Sequence, residues 1–139
     1  MTLLDANALI AVVRGEPAME KVLGVIREGS TAMTTVNIAE VYDSVARKTG
    51  LSYEDIGEVI EPLLDGAIAP ISVDFALARQ AAEIRSAHYH RNRQALSLAD
   101  CVLLAAAGGN DKIATADPDV LAVATKLGIE TIELPPSSD

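Results

Sequence analysis

The sequence predicts an α/β protein, a three-layer α/β/α sandwich around a mostly parallel sheet of four or five strands. Three observations predict it. Short apolar runs alternate with longer amphipathic stretches, an order that builds a parallel sheet covered on both faces. Half of the 139 residues are hydrophobic, which is ample for a buried core. Only Tyr42, Tyr53, Phe75 and Tyr89 are aromatic, so Leu, Ile, Val and Ala must fill that core, as suits helices packed on a sheet. At this length the chain reads as one domain over residues 1–134, with 135–139 as a loose tail.

The elements follow in order. Thr2–Asp5 is a short apolar strand, and an amphipathic stretch runs from it to Arg14. Pro17 is placed like a residue that opens a helix, which runs to Glu28 and stops at Gly29. Thr31–Thr35 reads as a second strand, and Val36–Lys48 as a helix ended by Gly50. Ser52 and Asp55 have capping-box spacing and open a helix to about Asp65. Ala67–Val73 is a third strand interrupted by Pro70, which places it near an edge. Asp74 caps a long helix to about His90. Ser97–Ala107 is a helix stopped by Gly108-Gly109-Asn110, Lys112–Thr115 a strand, Pro118–Leu127 a helix, and Thr131–Leu134 a last strand.

Composition narrows the functional classes. The single cysteine, Cys101, excludes an intramolecular disulfide and fits a reducing cytosol. No basic leader precedes Asp5, and the longest apolar stretch, Leu96 to Ala107, is too short for a bilayer and contains Asp100. The expectation is a soluble, cytoplasmic protein with no membrane partner. A net charge of −9 argues at face value against nucleic acid. Acidic chains still process nucleic acid when carboxylates hold divalent cations and a local basic patch exists.

Sites in an open parallel sheet gather beyond the carboxyl ends of its strands. Asp5 ends the first predicted strand and Asp117 follows the fourth. Glu40 lies early in the helix after the second strand, and Asp100 in the first turn of the helix before the fourth. Each also has a plain helix-capping reading. Asp5 and Asp117 could be N-caps, with Pro118 favouring this for Asp117. Asn37 with Glu40, and Ser97 with Asp100, have capping-box spacing.

Asp100 stands out, because the segment Leu98–Ala107 is apolar on every face except at this residue, and such helices are buried. An unpaired carboxylate there must shift its pKa or find a cation, and no Lys or Arg lies within a turn. Clustered carboxylates repel by roughly 4 kcal/mol at about 4 Å for an effective dielectric near 20. They therefore need shared protons or a divalent ion, and oxygen ligands select Mg²⁺ or Mn²⁺. Such ions bind phosphate oxygens and lower the pKa of bound water, as phosphodiester hydrolysis requires.

In this ordered set the chain resembles the PIN-domain family. The pieces are Leu3-Leu-Asp5-Ala-Asn7, Thr34-Thr-Val-Asn-Ile-Ala-Glu40, Leu96-Ser-Leu-Ala-Asp100 with its Ala-rich continuation, and Thr115-Ala-Asp117. They span nearly the whole chain, and the compact length resembles the VapC toxin branch rather than larger flap-endonuclease relatives. The resemblance implies a metal-dependent endoribonuclease whose Mg²⁺ or Mn²⁺ is held by Asp5, Glu40, Asp100 and Asp117, supported by Asn7 and Thr115. It also implies an RNA substrate, a cognate antitoxin protein and a homodimer. Family members often carry a basic or bulky residue where this chain has Ala116, which puts phosphate contacts beside Asp117 in question.

The segment Arg79–Arg93 carries four arginines and two histidines against Glu83 alone, and leads into the Asp100 helix. Arg85, Arg91 and Arg93 could hold RNA phosphates, or be cations at a solvated helix C-terminus. Glu54–Asp65, with five acids and no base, reads as a solvated face. Two further classes stay open. A metal-dependent phosphatase or phosphotransfer domain would use an aspartyl nucleophile, although Asn7 stands where the haloacid-dehalogenase kind wants a second Asp. A PIN-like module that only binds a partner is the other.

Overall fold

The computed structural model describes residues 1–137. In chain order these form β1 (Thr2–Leu4), α1 (Ala6–Arg14), α2 (Met19–Glu28), β2 (Thr31–Thr34), α3 (Thr35–Thr49) and α4 (Tyr53–Leu64). There follow β3 (Ile68–Ile71), α5 (Phe75–His88), α6 (Leu98–Ala106), β4 (Lys112–Thr115), α7 (Pro118–Lys126) and β5 (Glu130–Glu133). The strands make one sheet in the order β3-β2-β1-β4-β5, and every neighbouring pair is parallel.

Successive strand residues point to opposite faces, and that alternation separates two aliphatic cores. Leu4, Met33, Ile68 and Ala114 face one way, onto Leu9 of α1, Val22 of α2, Val41 of α3 and Ile56 of α4. Leu3, Ala32 and Ile113 face the other way, onto Ala81 of α5, Leu103 of α6 and Val120 of α7. This is the expected three-layer sandwich. β3 is an edge strand, which is why it tolerates Pro70: one row of its N–H groups has no strand to receive them.

Several element ends differ from the sequence expectation, each for a local reason. Pro17 lies in the turn before α2 rather than opening it, and the N-cap position is Ala18, whose side chain accepts nothing. α3 begins directly after β2 because the Thr34 hydroxyl accepts the Asn37 N–H at 3.1 Å, so Thr34 and not Asn37 is its cap. α5 stops at His88, where Tyr89 turns extended. His90 Nδ1 then accepts the Asn92 and Arg93 amides, both at 3.2 Å, and His90 pairs with Gln94 in an isolated bridge. Part of the expected loose tail, Ser138–Asp139, lies outside the described residues. Pro135–Ser137 run past Glu16, whose Oε2 accepts from the Ser137 hydroxyl at 3.5 Å.

Candidate functional site

β1 is central: the chain runs from it through β2 to β3 on one side, then crosses back to lay β4 and β5 on the other. The crevice at such a switch point, beyond the strand carboxyl ends, is where ligands bind in open parallel sheets. Asp5 directly follows β1 there, and Thr115 ends the adjacent β4. β2 ends at Thr34, which starts α3 and so brings Glu40 to the same edge. Asp5, Glu40, Asp100 and Asp117 all line one cavity of about 270 Å³, together with Asn7, Asn37 and Arg47.

Each acid is held by its own local bonds. Asp5 is 5% exposed, Oδ1 accepting the Ala8 N–H at 2.9 Å and Oδ2 the Thr115 hydroxyl at 2.5 Å. The same Thr115 oxygen accepts the Asp117 N–H at 3.0 Å, tying the two acids through one hydroxyl. Asp117 Oδ1 accepts from Asp119 N at 2.8 Å and Val120 N at 3.4 Å, as an N-cap does. Glu40 Oε2 accepts from Asn37 Nδ2 at 3.3 Å. Asp100 forms a complete capping box with Ser97, both bonds being 3.0 Å.

The capping readings therefore hold for Asp5, Asp100 and Asp117, and they do not compete with clustering. A short carboxylate at a helix N-terminus is pinned by backbone amides while its remaining lone pairs face the cavity. Asn37 works differently from the expected capping box, as a clamp on Glu40 from one turn back.

The electrostatics are those of crowded anions. Burial pushes the Asp5 carboxyl up to about 6, and the charges of Asp100 and Asp117 add to it against the Thr115 and Ala8 bonds. Asp100 is also raised, first by burial and then by Asp117 and Asp119, with the Ser97 bonds opposing. Glu40 is raised by burial, and by Asp100 and Asp43. Five carboxylates line this cavity against one guanidinium, Arg47, which pairs with exposed Asp43 at 2.9 Å.

The donor set fits a hard divalent cation, since every ligating atom on offer is oxygen. Among the described residues no three His, Cys, Asp or Glu side chains close into a ready cage. Mg²⁺ does not require one, because it keeps several waters and is held through one or two carboxylates plus phosphate oxygens.

Arg47, Asp43 and Ser44 border the cavity without having been singled out by sequence. The signal was present: Asn37, Glu40, Ser44 and Arg47 recur at helical spacing and share one stripe of α3. Arg85, Arg91 and Arg93 do not line the cavity. Arg85 Nε donates to Leu96 O at 3.2 Å and its guanidinium lies 4.5 Å from the centroid of the Tyr89 ring. Arg91 and Arg93 are exposed in the turn after α5. The five acids from Glu54 to Asp65 are exposed, as expected of a solvated face, and Cys101 is buried, its thiol pushed up to about 11 by burial and by Asp100.

Fold and site together define a small parallel α/β domain with an acidic centre at its topological switch. The chain belongs to the PIN domain family, whose model matches residues 2–126. Solved structures agree. A chain of FitAcB from Neisseria gonorrhoeae is 25% identical with a TM-score of 0.66, covering 96% of this chain and 97% of that one. VapBC2 from Rickettsia felis, bound to a fragment of promoter DNA, gives 12% identity and a TM-score of 0.69 over 96% and 98%. VapC20 of Mycobacterium tuberculosis, a sarcin–ricin loop cleaving toxin, gives 14% and 0.61 over 97% and 90%. Among curated proteins the sequence finds no match. Among the described residues no helix is long and apolar enough to cross a membrane.

Proposed function

We propose that this PIN-domain protein is a Mg²⁺- or Mn²⁺-dependent endoribonuclease, the toxin of a toxin–antitoxin pair. The observation that carries the reading is the convergence of Asp5, Glu40, Asp100 and Asp117, from four separate stretches of chain, on one cavity. When bound, the ion supplies Lewis acidity toward a phosphodiester oxygen and a water of lowered pKa. The chain's part is to hold that ion and the scissile phosphate. Thr115 fixes Asp5 and Asp117 relative to one another, Ser97 fixes Asp100, and Asn37 fixes Glu40. No side chain acts as covalent nucleophile. Asp5 is the residue an aspartyl-phosphate mechanism would use, and both its oxygens are bonded inside the protein, which disfavours in-line attack by it.

Arg47 at the cavity mouth, with Arg91 and Arg93 on the turn leading to the Asp100 helix, would position RNA phosphates. Arg85 would shape that turn. The kinship with toxin–antitoxin structures supports a cognate antitoxin as partner; a homodimer and a cytoplasmic setting complete the proposal. Val12 and Val13 on α1 and Ile26 on α2, all half-buried, are candidates for the antitoxin groove. The test is RNA cleavage in Mn²⁺ by wild type and Asp100→Asn, with a phosphomonoester control. Asp100→Asn keeps a side-chain oxygen for Ser97 N but removes one charge, so cleavage is expected to be lost with the fold intact. Retained cleavage removes Asp100 from the site.

A further inference from the structure

The acidic cavity has a neighbour. On the far side of Asn7 and Asp117, which line both, lies a groove of about 320 Å³. Its walls are apolar and small or flat: Ala11, Ala18, Ala116, Leu134, Pro135 and Pro136. Its polar lining includes the carboxylates of Asp119 and of Glu16, the latter paired with Arg14 at 3.0 Å. A void of this size is at the lower end of the roughly 300–1,000 Å³ of small-ligand sites.

We propose that this groove is a nucleobase subsite, seating the base next to the phosphate held at the acids and favouring bases that carry an exocyclic amino group. The proposal rests on the nuclease reading. Three features lead to it. Because Asn7 and Asp117 are shared walls, one nucleotide can place its phosphate on one side of them and its base on the other. The carboxylates of Asp119 and Asp117 repel a second phosphate or an acidic peptide, and the small, apolar walls suit a flat uncharged ring better than a hydrated cation. Ionised carboxylates only accept hydrogen bonds, which suits the amino N–H groups of adenine, cytosine and guanine; uracil has no amino group, and its one ring N–H lies between two carbonyls that a carboxylate repels. Ala116 matters for space, since it lines the groove and a larger side chain there fills it while replacing none of the four acids.

The experiment is a titration of isotopically labelled protein in Mg²⁺ with AMP, CMP, GMP, UMP and ribose 5-phosphate, followed by amide NMR shifts. The amino-bearing nucleotides are expected to move the Ala11, Ala18 and Leu134 amides, UMP to do so with roughly tenfold weaker affinity, and ribose 5-phosphate to move only amides around the acids. Ala116→Phe is expected to weaken nucleotide binding about tenfold or more while keeping the Mn²⁺-induced rise in Tm. Should that variant not fold, Asp119→Asn replaces an acceptor with an amide and is expected to erase the preference over UMP. Groove amides that stay still with every nucleotide, or move equally with ribose 5-phosphate, overturn the subsite even if RNA is cleaved. Groove shifts without any RNA cleavage by wild type overturn the nuclease reading instead.

Discussion

Replacing Asp5 with Asn removes the most buried charge of the acidic cavity. The native carboxyl holds its proton to about pH 6, against an ordinary value of 3.8 for an exposed aspartate, so the difference is about 2 pH units. At about 1.4 kcal/mol per unit this corresponds to roughly 3 kcal/mol at most. Between those values the native state binds more protons than the unfolded chain, so stability falls as pH rises. The contribution is whole below about pH 4 and lost as pH passes 6. Asn at this position keeps an acceptor for Ala8 N but loses the one for the Thr115 hydroxyl, a pH-independent cost of about 1 kcal/mol. The assay is a series of urea melts in EDTA from pH 4 to 7.5. The stability difference between wild type and Asp5→Asn should shift by up to about 3 kcal/mol across that range, with the variant equal or superior near neutrality. Glu40 and Asp100 are raised by their own burial in both proteins, which cancels in the comparison, while the repulsion that Asp5 shares with Asp100 and Asp117 is lost in the variant and counts within the shift. Parallel curves would refute the reasoning.

Mn²⁺ in large excess should raise the Tm of wild type, by about 2.7 kcal/mol of stability at a hundred times the Kd, and less in Asp100→Asn. The gain should also shrink below about pH 6, where Asp5 takes its proton; a melting curve indifferent to Mn²⁺, Mg²⁺ and EDTA would count heavily against a metal centre. Thr115→Val removes a fully buried hydroxyl that serves Asp5 and Asp117 at once, and urea melts at pH 7 should show a loss of about 1–3 kcal/mol. Arg47→Ala should weaken RNA binding and lower the salt slope of log Kd by about 1, and Arg91 and Arg93 changed together to Ala by up to about 2. Slopes unchanged from wild type would leave those arginines as solvated surface.

The sandwich was legible because strand alternation and helix stop signals are local properties. Pro70 even marked its strand as an edge. The four acids were legible because each sits at a strand end or within the first two turns of a helix. What sequence could not weigh was the coexistence of two duties at one residue: Asp100 completes a capping box and faces a shared cavity. Asp43 and Arg47 were passed over because an i, i+4 ion pair looks like any exposed helix surface. Only the seating of α3 against the switch point puts that stripe at a cavity mouth. The reverse error was open for Arg85, whose neighbours in sequence suggest a basic rim. Its guanidinium instead secures Leu96 O and stacks on Tyr89.

The Thr115 hydroxyl, shared between Asp5 and Asp117, has a consequence for when the protein becomes dangerous to its surroundings. A chain emerging from synthesis carries Asp5 and Glu40 early, but β4 must pair beside β1 before Asp5 gains its bond from Thr115 and Asp117 arrives next to it. Until then there is no ordered cluster, only scattered solvated carboxylates with ordinary affinities for cations. On the proposed function, the nascent protein stays harmless to nearby RNA through most of its own translation, and clipping the chain before β4 disarms it as surely as mutating an acid.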